Sequence, residues 1–234
     1  MIERKLTNKI IIFPSHNYNE RPSKSEIDML VIHYTGMREA LQALDRMCNP
    51  TAEVSAHYLI DEKGQIFQLI SEYKRAWHAG ISSWRNNSDI NDRSIGIELA
   101  NPGHEFGYKN FPKPQIDKLI ELAKDIIKSH PIPARNIIGH SDVAPTRKKD
   151  PGELFDWHNL ALNGVGYWPK TNKQNTPGQI NISNFESALQ EYGYDTTNLT
   201  ATIVAFQRHF LPKICDGQPN KEMFEMLENL ISGL

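Results

Sequence analysis

The chain has 234 residues, a length from which we expect one main core and a smaller second unit. Its 39% hydrophobic and 23% charged residues are typical of a globular protein. The formal net charge of -2 offers no general attraction for polyanions, so we expect no nucleic-acid partner. No stretch reaches the roughly 18 uninterrupted apolar residues of a membrane-spanning helix, and two distant cysteines predict neither a disulfide framework nor a cysteine zinc site.

The first third of the chain predicts strands and one covering helix. Residues 28–35 form a short apolar run with the composition of a strand, and residues 38–47 have apolar side chains at helical spacing. Residues 56–61 and 65–70 flank Gly64, which predicts a β-hairpin. The polar residues 82–93 are predicted to form a surface loop.

Residues 94–100 predict a strand that presents an acidic side chain. Ile95, Ile97 and Leu99 fall on one face, because successive side chains of a strand alternate. Gly96 and Glu98 must then point the other way. This alternation places the carboxylate of Glu98 opposite the apolar layer.

The middle of the chain predicts a loop, a long helix and a further strand. The loop covers residues 101–114, and residues 115–130 carry an apolar stripe of helical period that Pro131 ends. The strand leads to His140, and residues 154–162 predict a short helix. Intermingled strands and helices predict the α/β or α+β class, with a mixed central β-sheet flanked by helices.

The C-terminal part of the chain predicts a separate small helical unit. Residues 169–179 have the polar composition of a linker. We therefore predict a first domain at residues 1–170, a linker at 171–180 and a second domain at 181–234. Ser183 and Glu186 fit a capping box, and Ile182 begins the first of three apolar stripes. We therefore expect a small bundle of three helices that leans on the main domain.

Three residues predict an open metal site. His33 and His140 each follow a hydrophobic segment, and Asp150 comes ten residues after His140. Two imidazoles and one carboxylate are ligands of zinc, and three protein ligands leave a fourth position for water. The set therefore indicates hydrolysis with one zinc ion per chain, although any single histidine is more often structural.

Five segments resemble, in their order, the zinc-dependent N-acetylmuramoyl-L-alanine amidases of the AmpD/AmiD type, which share a fold with phage T7 lysozyme and peptidoglycan recognition proteins. The segments are Val31-Ile-His-Tyr-Thr35, Ser55-Ala-His-Tyr-Leu59, Ala76-Trp-His-Ala-Gly80, Ser94-Ile-Gly-Ile-Glu-Leu99 and His140-Ser-Asp-Val-Ala-Pro-Thr-Arg-Lys-Lys-Asp-Pro-Gly152. The resemblance covers roughly residues 25–170. The helical tail resembles a peptidoglycan-binding module, so the layout is most similar to the AmiD branch.

The resemblance implies cleavage of the amide between the lactyl group of N-acetylmuramic acid and L-alanine, in cell-wall degradation or recycling. It carries His33, His140 and Asp150 over as zinc ligands, Glu98 as the general base and Lys148 as the group that stabilises the oxyanion. Phage-type relatives have a tyrosine and a cysteine ligand where this chain has Ala56 and Asp150, which favours Glu98 as the base. Substrate contacts are expected from Trp77, His78 and Asn101.

Two other functions fit parts of the sequence. A non-catalytic peptidoglycan-recognition protein would typically lack one ligand, whereas all three are present here together with Glu98 and Lys148. A glycosidase that pairs Glu98 with Asp92 or Asp142 would leave both histidines unexplained. Arg75 or Arg93 could pair with a stem-peptide carboxylate, but surface arginines are usually solvated.

The resemblance also implies the partners of the chain. We expect a monomer that binds peptidoglycan or muropeptides, 1,6-anhydro forms included. The start of the sequence has too short an apolar run for a signal peptide, which argues for the cytoplasm. The wall-binding tail and the AmiD-like layout argue for the periplasm or cell envelope, which we favour.

Overall fold

A computed structural model describes residues 10–23, 25–169 and 181–233. In these ranges the strands are β1 (Ile11–Ile12), β2 (Tyr18–Glu20), β3 (Met29–Tyr34), β4 (Tyr58–Ile60), β5 (Ile66–Gln68), β6 (Lys74–Ala76), β7 (Ser83–Trp84), β8 (Asn87–Ser88), β9 (Ser94–Leu99) and β10 (Ile137–Gly139). The helices are α1 (Ala40–Cys48), α2 (Gly103–Phe106), α3 (Lys113–Ser129), α4 (His140–Val143), α5 (Trp157–Leu162), α6 (Phe185–Tyr192), α7 (Leu199–Phe210) and α8 (Lys221–Ser232). No helix in these ranges is long and apolar enough to cross a membrane.

The chain divides into two compact units, and the first, residues 1–78 and 91–131, contains most of the main sheet. Five strands of the sheet lie in this unit in the order β1-β5-β4-β9-β3. Strands β4 and β5 pair antiparallel, whereas the β1–β5, β4–β9 and β3–β9 pairs are parallel, so the sheet is mixed as predicted. Gly64 has φ +83° in the turn of the hairpin, a conformation that favours glycine.

The core of the first unit is built on β3 and β9. Residues Met29 to Ile32 of β3 are fully buried, and so are Ile95, Ile97 and Leu99 of β9. Near-continuous apolar composition is typical of parallel strands that are covered on both faces. Helix α1 packs Ala43, Leu44 and Met47 into a cluster that includes Leu59 and Leu69. Helix α3 is tied to the sheet by Gln115, whose amide nitrogen donates to the carbonyl oxygens of Ile60 at 2.9 Å and Ala100 at 3.1 Å.

The second unit comprises residues 79–90 and 132–234. The three predicted C-terminal helices are confirmed as α6, α7 and α8, and their buried residues include Leu189, Phe206 and Leu227. The predicted linker at 171–180 lies outside the described residues. The predicted domain boundaries at 1–170 and 181–234 therefore stay a prediction.

Two local predictions are wrong because distant contacts replace local ones. Residues 82–93 contain the paired strands β7 and β8, and Trp84 is fully buried with its ring 5.0 Å from that of Tyr194. The predicted capping box is absent: Asn184 is the N-cap of α6, and the carboxylate of Glu186 accepts a hydrogen bond from Thr196 at 2.9 Å. Ile182 is 79% exposed and does not join the apolar stripe.

Candidate metal centre

His33 and Glu98 lie side by side on one face of the main sheet. His33 is near the end of β3 and is register partner of Glu98 on the parallel strand β9. Partners in neighbouring strands point to the same face, so the register brings an imidazole and a carboxylate together. His33 is buried and Glu98 is half-buried. The alternation predicted for residues 94–100 is confirmed.

His33 belongs to a short relay of buried polar side chains. Its Nε2 is 3.0 Å from Nδ1 of His78, and Nε2 of His78 is 3.1 Å from the hydroxyl oxygen of Ser94. If His33 holds a metal ion through Nδ1, its Nε2 carries the proton and donates to His78, which then donates to Ser94. A histidine ligand generally donates its other N–H in this way, which fixes the ring orientation and the tautomer.

Gly96 makes room for the ring of His78. A Cβ atom at this position would lie 2.5 Å from the ring carbon Cγ of His78, closer than real Cβ contacts. Because glycine has no Cβ atom, the imidazole of His78 can pack directly against the backbone of β9 at Gly96. This close approach explains why β9 contains glycine, a residue that otherwise weakens strands, at position 96.

His57 is a structural residue beneath this relay. It is fully buried, its Nδ1 accepts the backbone N–H of Gly96 at 3.0 Å, and its Nε2 donates to the carbonyl oxygen of Lys74 at 3.0 Å. Burial, and secondarily the positive charge of Arg21, lower the pKa of His57 to about 3. The ring is therefore neutral in the folded protein at ordinary pH, and a hydrogen bond satisfies each of its two nitrogens.

The low pKa of His57 predicts that acid destabilises the protein. Between pH 6.5 and 3 the unfolded chain binds a proton at this position and the folded chain does not, so stability falls as the pH falls. The contribution of His57 between pH 7 and pH 5 is about 2 kcal/mol, from an unfolded pKa of about 6.5. We expect the wild type to lose that much more unfolding free energy than His57→Asn over this interval in denaturant titrations. Equal pH dependence of the two proteins would contradict the assignment.

His140 and Asp150 form a buried pair in the second unit. His140 begins α4 directly after β10, and its Nδ1 is 3.0 Å from a carboxylate oxygen of Asp150. The backbone N–H of Ser141 donates to the carbonyl oxygen of Asp150 at 2.8 Å, which holds the two segments together. Both side chains are less than a tenth exposed.

The ring of His140 is oriented by a backbone carbonyl that the sequence did not reveal. Nε2 of His140 is 3.0 Å from the oxygen of Ala79, and the guanidinium of Arg147 donates to the same oxygen at 2.8 Å. Arg147 also donates to the carbonyl oxygen of Ile81 at 3.0 Å. Since Nε2–H donates to Ala79, Nδ1 of His140, which faces the carboxylate of Asp150, is the nitrogen that would bind a metal. Arg147 therefore holds residues 79–81 in place through their carbonyl oxygens.

One ligand atom from each of His33, His140 and Asp150 lies within 4.8 Å of the other two, and all three residues are buried. Two imidazole nitrogens and a carboxylate oxygen are the donor set of a catalytic zinc site. The residues present therefore fit a zinc ion, and the two hydrogen-bonded Nε2 atoms leave the Nδ1 atoms for it.

The other residues expected at the site occupy different environments. Lys148 is half-buried in the segment between Ala144 and Asp150, and its backbone N–H donates to the carbonyl oxygen of Ala144 at 3.0 Å. Trp77 is half-buried and donates from its indole nitrogen to Asn19 at 2.6 Å. The amide of Asn101 donates to the carbonyl oxygen of Lys109 at 2.7 Å and accepts from the N–H of Gly103 at 3.0 Å. The predicted roles of these residues stay predictions.

The charged groups considered for other functions are engaged in internal bonds. Asp92 pairs with Arg75, and Arg93 with Asp28. Asp142 is buried, and its carboxylate accepts three hydrogen bonds from protein groups. Asp92 and Asp142, the two acids that could pair with Glu98 in a glycosidase, therefore both have internal partners. The glycosidase interpretation loses support.

Comparison with known proteins gives consistent matches along the chain. The profile of the N-acetylmuramoyl-L-alanine amidase family matches residues 23–153. The N-acetylmuramoyl-L-alanine amidase AmiD of Escherichia coli is 38% identical over an alignment that covers 88% of this chain and 82% of that protein. The 1,6-anhydro-N-acetylmuramyl-L-alanine amidase AmpD of Haemophilus influenzae is 36% identical, with 67% of this chain and 92% of that protein covered.

A solved structure extends the match to the three-dimensional fold. It is the complex of AmiD from Escherichia coli with anhydro-N-acetylmuramic acid-L-Ala-D-gamma-Glu-L-Lys as substrate. The TM-score is 0.80 at 35% identity, and the alignment covers 92% of this chain and 93% of that one. The similarity therefore includes the C-terminal helices as well as the main sheet.

Proposed function

Because the chain belongs to the N-acetylmuramoyl-L-alanine amidase family, we propose that it hydrolyses the amide between the lactyl group of N-acetylmuramic acid and L-alanine of the stem peptide. The products are a free lactyl carboxylate and a stem peptide with a free amino terminus. The observation that carries this proposal is the match over 92% of the chain to an amidase with an anhydromuramyl peptide as its substrate. Substrates of this class are peptidoglycan and its muropeptide fragments, in cell-wall degradation or recycling.

We further propose that the metal is zinc and that His33, His140 and Asp150 hold it. The support is the donor set, the burial of all three residues and the closeness of their ligand atoms. When bound, zinc supplies a Lewis acid for a carbonyl oxygen and brings the pKa of water towards neutrality. The hydrogen bonds from the Nε2 atoms to His78 and to Ala79 keep both imidazoles in the tautomer that this role requires.

Glu98 is proposed as the general base. Its carboxylate, which shares the face of the sheet with His33, takes a proton from the attacking water and returns it to the leaving amine nitrogen. An amide nitrogen that leaves without this proton would be a strongly basic anion. Lys148 is proposed to stabilise the oxyanion of the tetrahedral intermediate, because its ammonium group belongs to the same segment as the ligand Asp150.

Substrate contacts are proposed for Trp77, His78 and Asn101. Trp77 offers an amphipathic ring on which a sugar or peptide can pack. His78 contacts His33 directly, so its effect on substrate is coupled to its effect on the metal ligand. Asn101 holds the 103–109 segment, which follows β9 and begins four residues beyond the buried Leu99.

The deciding experiment is digestion of purified muropeptides, anhydro and non-anhydro, followed by mass spectrometry. We expect free stem peptide and peptide-free sugar, and we expect a zinc chelator to stop their release. New reducing ends without free peptide would overturn the amidase proposal. Binding without any product would favour a peptidoglycan-recognition protein instead.

A further inference from the structure

Asp142 is a buried acid two residues beyond the proposed ligand His140. One carboxylate oxygen accepts the backbone N–H of Gly139 at 2.7 Å and Nδ1–H of His209 at 2.8 Å. The other accepts the hydroxyl of Tyr194 at 2.7 Å. Asp142 is 1% exposed. A buried carboxylate needs such donors, since removing a partner leaves a costly uncompensated group.

Two of these three donors come from the C-terminal segment, residues 181–233. His209 lies on α7 with its ring stacked between Trp157 and Phe210, each at a centroid distance of 4.0 Å. Burial and the negative charge of Asp142 raise the pKa of Tyr194 well above its ordinary value. Its hydroxyl therefore keeps the proton that it donates, and both donors are held rigidly by aromatic packing.

The third donor, the backbone N–H of Gly139, links Asp142 to the chain next to His140. Gly139 immediately precedes His140, and a Cβ atom at Gly139 would lie 2.6 Å from Pro151, so this strand end fits tightly against the segment of Asp150. On the other side of His140, the N–H of Ser141 donates to the carbonyl oxygen of Asp150. The backbone of His140 is thus fixed on both sides, by Asp142 and by Asp150.

We propose that Asp142 is a positioning residue of the metal centre, through which Tyr194 and His209 hold His140 in the orientation that binds zinc. The C-terminal segment then contributes to metal binding in this chain, whether or not it also binds the cell wall. This inference rests on the proposed zinc site. Groups that orient a metal ligand through hydrogen bonds typically change metal affinity by about 10–100-fold.

The test compares hydrogen-bond variants with a matched control in the full chain. Tyr194→Phe removes one donor and keeps the ring, His209→Ala removes another, and His209→Asn keeps a donor near the position of Nδ1. Tyr192→Phe is the control, because Tyr192 is buried in the same aromatic cluster but no hydrogen bond of its hydroxyl to Asp142 is present in the described structure. Zinc affinity is measured by competition with a chelating indicator, and the metal-free proteins are compared by thermal unfolding. The absorption spectrum of the Co(II)-loaded proteins reports the ligand geometry.

We expect Tyr194→Phe and His209→Ala to weaken zinc affinity by about 10-fold, the lower end of the range for hydrogen-bond partners of a metal ligand, because both act through Asp142. We also expect an altered Co(II) spectrum, with His209→Asn restored towards the wild type and Tyr192→Phe unchanged. If the variants lower only the thermal stability of the metal-free protein, with wild-type zinc affinity and Co(II) spectrum, the inference is overturned. Should His209→Ala fail to fold, Tyr194→Phe and His209→Asn still decide the question. A wild-type protein that binds no zinc would overturn the proposed metal site itself, which is a separate failure.

Discussion

Glu98→Gln is expected to reduce kcat by about 10³-fold while the protein keeps its metal. The glutamine side chain preserves the shape of Glu98 on β9, but its amide cannot accept the proton of the attacking water. Glu98 is not among the three residues whose ligand atoms cluster, so metal affinity should change little. The measurements are kcat on a purified muropeptide and the zinc content of the same preparation.

Glu105→Gln is the matched control for this change. Glu105 is an exposed acid on α2, and we expect its variant to retain the wild-type rate. A Glu98→Gln protein that turns over substrate within tenfold of the wild type would exclude Glu98 as the base. Loss of zinc together with activity would instead identify Glu98 as a ligand.

His140→Ala is expected to abolish zinc binding and, with it, activity. The substitution removes one of three proposed ligands and also leaves the carboxylate of Asp150 without its imidazole partner. Because loss of an indirect hydrogen-bond partner already costs about 10–100-fold in metal affinity, loss of a ligand should cost more than about 100-fold. Metal content after dialysis and muropeptide turnover at saturating zinc measure the two effects.

The control for the ligand variant is His158→Ala, which removes an exposed imidazole from α5 in the same unit. We expect that protein to bind zinc like the wild type. Stoichiometric zinc in purified His140→Ala, or undiminished turnover, would rule out His140 as a ligand.

Sequence patterns predicted the parts of the fold that depend on local periodicity. The alternation of residues 94–100 placed Glu98 on the face opposite Ile95, Ile97 and Leu99, and the structure has this arrangement. Two segments that each end in a histidine, with an acid ten residues further on, were enough to single out three residues that lie together. The alternation of side chains along a strand is a local property, so this part of the prediction needed no long-range information.

The contacts that orient these residues were not predictable, because they join positions far apart and often use backbone atoms. His140 is oriented by the carbonyl oxygen of Ala79, 61 residues away, and a carbonyl leaves no mark on the sequence. The polar neighbours of Trp84 predict a surface loop, yet its ring packs against that of Tyr194, which comes from the far end of the chain. Glu186 similarly bonds to Thr196 and does not cap its own helix.

The hydrogen bonds from Tyr194 and His209 to Asp142 affect how far the chain can be shortened. A polypeptide that ended at residue 169 would keep every residue proposed for zinc binding and proton transfer, but Tyr194 and His209 would be gone. Asp142 would retain only the N–H of Gly139 among its three donors, and the ring of Trp84 would lose its cover from Tyr194. We therefore expect a fragment trimmed at residue 169 to be less stable than the full chain unless Asp142 and Trp84 are substituted as well.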